Sequence, residues 1–118
     1  MALGFLATKA RSDVLTLDLP AGLVSALVDA VDQLERTARD ERRAALGRLA
    51  GELAAAPARV TARRDLLREL VAVAVEETAE RVALASNRLL RGEGSAEAVR
   101  APLGELNGLL DLLDAVDG

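Results

Sequence analysis

Residues 14–34 read VLTLDLPAGLVSALVDAVDQL, and the change of rhythm at Pro20 decides the fold class. Before it, Leu15, Leu17 and Leu19 alternate with Thr16 and Asp18, so they share one face of an extended segment. After it, Leu23, Leu27, Val31 and Leu34 recur at steps of four, four and three, the helical period. Pro20 suits the first turn of a helix, and Asp18 stands close enough to cap it. The stripe continues through Ala38, Ala45, Leu49 and Leu53. It predicts one helix over about 21–55, roughly 50 Å long at 1.5 Å per residue. Gly47 and Gly51 lie four apart among Ala44, Ala50 and Ala54, a spacing that predicts a close helix crossing.

Working outward, Pro57 ends this helix, and Thr61 is the expected N-cap of a second over about 60–91. Its segment Leu70–Val75 is apolar on nearly every side and is expected to be buried all round. Gly92-Glu93-Gly94 makes a loop, and Ser95 caps a last helix over about 96–116, with Pro102 bending its start. Val99, Leu103, Leu106, Leu110 and Leu113 are spaced four, three, four and three, as a bundle seam requires. Short connections make successive helices antiparallel. The fold class is therefore all-α, an antiparallel bundle of about three main helices (21–55, 60–91, 96–116). Residues 1–19 form an extended arm, and the whole chain, 1–118, is one domain.

Composition narrows the chemistry. The 118 residues contain no His, Cys, Trp or Tyr, and Phe5 is the single aromatic side chain. Disulfides, thiolate catalysis and imidazole general-base chemistry therefore have no residues to use. The hydroxyls of Ser12, Ser25, Ser86, Thr37 and Thr78 have no His to activate them. No uncharged apolar run approaches the roughly 20 residues that span a bilayer, so no membrane segment is expected. The start, MALGFLATKAR, places apolar residues before basic ones, the reverse of a signal peptide, so a cytoplasmic location is expected. Of 15 basic residues 14 are Arg, a bias that with abundant Ala, Leu, Val and Gly suggests a GC-rich bacterial genome.

Nine Arg residues between 36 and 68 face four acids, whereas residues 92–118 carry Arg100 against six acids. Antiparallel packing would bring Asp111, Asp114 and Asp117 to the start of the second helix, where the two ends neutralise each other. Nucleic-acid binding is not expected, because aromatic stacking and Lys-rich stretches are missing.

The run Glu76, Glu77 and Glu80 places carboxylates three and four apart on one helix face. This EExxE pattern resembles the first half of the metal motif of MazG-like nucleotide pyrophosphohydrolases. That resemblance implies an all-α enzyme holding Mg²⁺ between two antiparallel helices, with Glu105 facing the run. Bound there, the metal would activate water at a phosphate. Position 108, where the family's second motif has Asp, is Gly. Without that resemblance no metal ligand, cofactor or catalytic residue is expected.

The entry Leu15-Thr-Leu-Asp-Leu-Pro20 resembles the start of ribbon-helix-helix DNA-binding domains, whose dimers pair two such strands. Asp18, outward on such a ribbon, would meet phosphates with the wrong sign.

The expected function is a small helical protein–protein interaction or scaffolding module, without catalysis of its own. A homodimer and a protein partner are expected, because Leu109, Leu112 and Val116 widen the apolar stripe beyond what one neighbour covers. The expected interface comprises Leu15, Leu17 and Leu19 of the arm with Val99, Leu103, Leu106, Leu109, Leu110 and Leu113. In that dimer the arm is exchanged or paired between subunits.

Overall fold

The structure is a computed structural model that describes residues 13–118. Its elements run β1 (Val14–Asp18), α1 (Ala21–Glu35), α2 (Asp40–Ala54), β2 (Arg59–Arg63), α3 (Arg64–Leu90) and α4 (Ala96–Asp117). The fold is mainly helical: the described residues form four helices, where three are expected from sequence, and a two-stranded ribbon.

The helix expected over 21–55 is two helices. Thr37 N donates to the Leu34 carbonyl, and extended Arg39 starts α2, its carbonyl accepting from Arg43 N at 2.8 Å. The reason lies in the core residues. Leu34 is half-buried, and the next large buried side chain is Leu46, twelve residues on. At about 100° per residue a straight helix would turn Leu46 about 120° away from Leu34. The turn at 36–39 swings Leu46, Leu49 and Leu53 back onto the core. Gly47 and Gly51 are exposed, and a Cβ on either would meet nothing within 4 Å, so they make no close crossing.

The start of the second helix also differs. Residues 59–63 alternate outward Arg59, Thr61 and Arg63 with buried Val60 and half-buried Ala62. They pair antiparallel with β1, Val14 opposite Arg63 and Asp18 opposite Arg59. Thr61 caps no helix; its Oγ1 lies 2.9 Å from Thr16 Oγ1 across the ribbon. Leu15 and Leu17 turn to the core side, half-buried, and Leu19 is buried. The strand expected to pair between subunits is thus paired within its own chain. Residues 1–12 of the expected arm lie outside the described residues.

Elsewhere the elements follow the sequence closely. None of Leu70–Val75 is exposed, and Leu70, Val71 and Ala74 are buried. The α3–α4 turn is closed by Glu93 N donating to the Arg88 carbonyl and Gly92 N to the Leu89 carbonyl. Gly92 takes φ 74°, the left-handed conformation this double closure needs and a side chain disfavours. Ser95 Oγ accepts from Ala98 N at 3.2 Å, capping α4. Pro102 stands inside α4 without dividing it.

The core lies where α1, α2, the inner ribbon face, the first half of α3 and the end of α4 meet. Leu27, Val31, Leu49, Val60, Leu67, Leu109 and Val116 are each at most 2% exposed. Gly108 lets α1 approach α4, because a Cβ there would lie 3.0 Å from Leu23 Cδ2.

Candidate interaction site on the α3–α4 arm

Burial divides the molecule in two. In α3 the last buried residue is Thr78, and in α4 the first is Leu109. The thirty residues from 79 to 108 include none that is buried. They form a two-helix arm beyond the core, with α1 beginning beside its root, where Leu23 meets Gly108.

Within the arm a narrow seam holds the helices together. Ala79, Val82 and Ala85 on α3 and Val99, Pro102 and Leu106 on α4 are half-buried at helical spacing. Outside the seam, Leu84 is 58% exposed, Leu90 85% and Leu103 41%. The apolar area these side chains leave in water gains nothing from the fold of one chain, and Leu90 leaves the most, since the hydrophobic effect scales with area removed from water. On Leu84's flank lies a hollow of about 570 Å³ lined by Arg81, Leu84, Ala85 and Arg88 of α3 and by the turn into α4.

The arm's charges are balanced and largely self-paired. Arg81 Nη2 donates to Glu105 at 3.0 Å and to Thr78 Oγ1 at 3.2 Å. Arg100 pairs with Glu97 at 2.9 Å and Arg91 with Glu93 at 3.7 Å. Glu80 and Arg88 remain, both exposed and without an ion pair among the described residues.

The residues expected at an interface fall into three groups. Leu19 and Leu109 are buried within the chain, and Leu15, Leu17 and Leu113 are half-buried against the core. Val99 and Leu106 belong to the seam between α3 and α4. Leu103 and Leu110 are exposed. Sequence reasoning missed Leu84 and Leu90, which stand on α3, off the α4 heptad, and on different faces of that helix, so no apolar row signals them.

The carboxylate run separates. Glu76 and Glu80 are exposed, while Glu77 is half-buried, its Oε2 accepting from Gln33 Nε2 at 3.3 Å. Glu77 Oε1 is buried without a hydrogen-bond partner among the described residues. Glu105 is bound to Arg81, the residue that follows the run. Among the described residues no three carboxylates gather closely enough to hold a metal ion. Gly108 fits under Leu23, so an Asp there would press its carboxylate into the core.

The arginine cluster joins elements of the body. Arg68 Nε donates to Asp117 at 2.7 Å, and Arg64 to the Val116 carbonyl at the end of α4. Cations at a helix C-terminus offset its partial negative charge. Arg64 also grips Asp13 at 2.8 Å, and Arg59 grips Asp18 at 2.7 Å. These guanidinium hydrogen bonds hold both carboxyls below the usual carboxylate range. Arg42 pairs with Glu69, tying α2 to α3.

No helix among the described residues is long and apolar enough to cross a membrane. Comparison with known proteins finds no matching family model, no matching curated protein and no matching solved structure.

Proposed function

We propose that this chain is a helical protein–protein interaction module, without catalysis of its own, whose α3–α4 arm is the docking face. The observation that carries this reading is the run of thirty residues, 79–108, without a buried side chain, beside Leu84, Leu90 and Leu103 left open to water. The packed core anchors the arm by its root, and the arm offers aliphatic surface between charged edges. Such a surface suits a groove or a helix of a protein partner, where burial yields about 25 cal/mol per Å² of apolar area.

The test compares tagged wild-type chain with the Leu90→Glu/Leu103→Glu variant as baits in lysate of the source organism. Both side chains are exposed, so the variant retains its fold. Proteins held by the wild type and lost with the variant support the reading. An identical set on both baits refutes it.

A further inference from the structure

We infer that the occupant of this face is a second copy of the chain, docked antiparallel along α3 about a two-fold axis at Leu84. The inference rests on the arm being a docking face and adds what fills it.

Three observations point to a copy. The first is charge. Between 79 and 108 stand four Arg (81, 88, 91, 100) and four Glu (80, 93, 97, 105), so the arm is neutral while the whole chain carries −4. A neutral arm does not repel itself and offers nothing to select a strongly charged partner.

The second is the position of the two charges left over. Glu80 and Arg88 lie four residues either side of Leu84, so 80, 84 and 88 form one row along α3. In a two-fold interface, residue i meets j while j meets i. An axis at Leu84 sets Glu80 of each copy against Arg88 of the other, forming two ion pairs around a central leucine contact.

The third is shape. The α3 residues lining the hollow are Arg81, Leu84, Ala85 and Arg88. Leu84 and Arg88 stand on its open side, within reach of Leu84 of a second copy at the same level.

In the antiparallel arrangement Leu90 of one copy reaches the level of Thr78 on the other, and α1, whose Ala26 and Asp29 share a hollow with Glu80 and Leu84, flanks the contact on one side. The overlap along α3 is about 18 Å over residues 79–90. The area is on the order of 500 Å² per copy, near the lower limit for a specific interface. Association is therefore concentration-dependent.

Sedimentation equilibrium on the purified full chain tests this. The apparent mass should rise with concentration from 12.4 kDa toward twice that value. Leu84→Glu should hold the chain at monomer mass with an unchanged far-UV CD spectrum. Glu80→Arg sets like charges against each other on both sides of the axis and should weaken association about tenfold. Adding Arg88→Glu in the same chain should restore it. A wild type that stays at 12.4 kDa at every concentration overturns the second copy as occupant, while the lysate comparison still decides the arm reading. A Leu84→Glu chain that dimerises like wild type, or a double charge swap without recovery, overturns the axis.

Discussion

Gly104 and Gly108 sit one turn apart on α4, and alanine at the two positions should act with opposite sign. In a helix interior, Gly→Ala contributes about 1 kcal/mol through backbone entropy, the same at both sites. At Gly104 the new Cβ meets nothing within 4 Å, so Gly104→Ala keeps the whole gain. At Gly108 it falls 3.0 Å from Leu23 Cδ2 and 3.4 Å from Cδ1. Leu23 is only 6% exposed, so it cannot swing into water and must press on its core neighbours. Overpacking of this kind costs about 1–3 kcal/mol, which cancels or exceeds the helix gain. The two variants should therefore differ by about 1–3 kcal/mol, with Gly108→Ala the less stable. Gly47→Ala, also open within 4 Å, serves as a second stabilising control. Urea unfolding followed by far-UV CD is the suitable assay, since no Trp or Tyr reports by fluorescence. At fixed protein concentration and equal m-values, the midpoints should order Gly104→Ala, wild type, Gly108→Ala. A Gly108→Ala midpoint level with that of Gly104→Ala would refute the α1–α4 close approach.

Two other outcomes follow from the geometry. Leu109 is 0% exposed and its neighbour Leu110 is 42% exposed. Leu109→Ala should lose about 2–5 kcal/mol by leaving a cavity, and Leu110→Ala less than about 1 kcal/mol, read by the same denaturation assay. Equal losses would misplace the core boundary on α4. In acid, the ribbon carboxylates Asp13 and Asp18 have folded-state pKa values below their ordinary 3.8. Their contribution is complete well above pH 3.8 and is lost as the pH falls through 3.8 to the lower folded values. Asp13→Asn/Asp18→Asn should therefore flatten the fall of stability across that window, measured by urea midpoints at successive pH values. An unchanged slope would mean that Arg64 and Arg59 do not hold these carboxylates in solution.

What the sequence made legible was governed by local signals. The alternation at Leu15, Leu17 and Leu19 marks β1, and Gly92 with Ser95 marks the end of α3 and the cap of α4. Each of these features is written within a few residues. The break at 36–39 is not. Arg36, Thr37 and Arg39 are compatible with a helix, and the chain turns because Leu46 must reach the same core as Leu34. That requirement belongs to tertiary packing and overrides local preference. β2 was hidden for a similar reason: five residues with Val60 as their one large apolar side chain give a weak strand signal, and Thr61 mimics a helix cap. Its strand state depends on β1, more than forty residues earlier. At the candidate site the exposed α4 leucines were visible as a heptad, but the row through Leu84 gained meaning once α1 proved too short to cover it.

The ribbon also constrains the order of events during synthesis. Asp18 and Arg59 are 41 residues apart, so β1 leaves the ribosome with no strand to pair with. Until Arg59–Arg63 follows, Leu15, Leu17 and Leu19 must wait as an unpaired apolar edge while α1 and α2 form. Closing a loop of that length costs little more than closing a shorter one, because loop entropy grows only logarithmically. What is lost is time, since a contact this distant in sequence comes late in folding. The ribbon is thus a latch closed after the first two helices, and the chain is most exposed to mispairing with a sister chain just before it shuts.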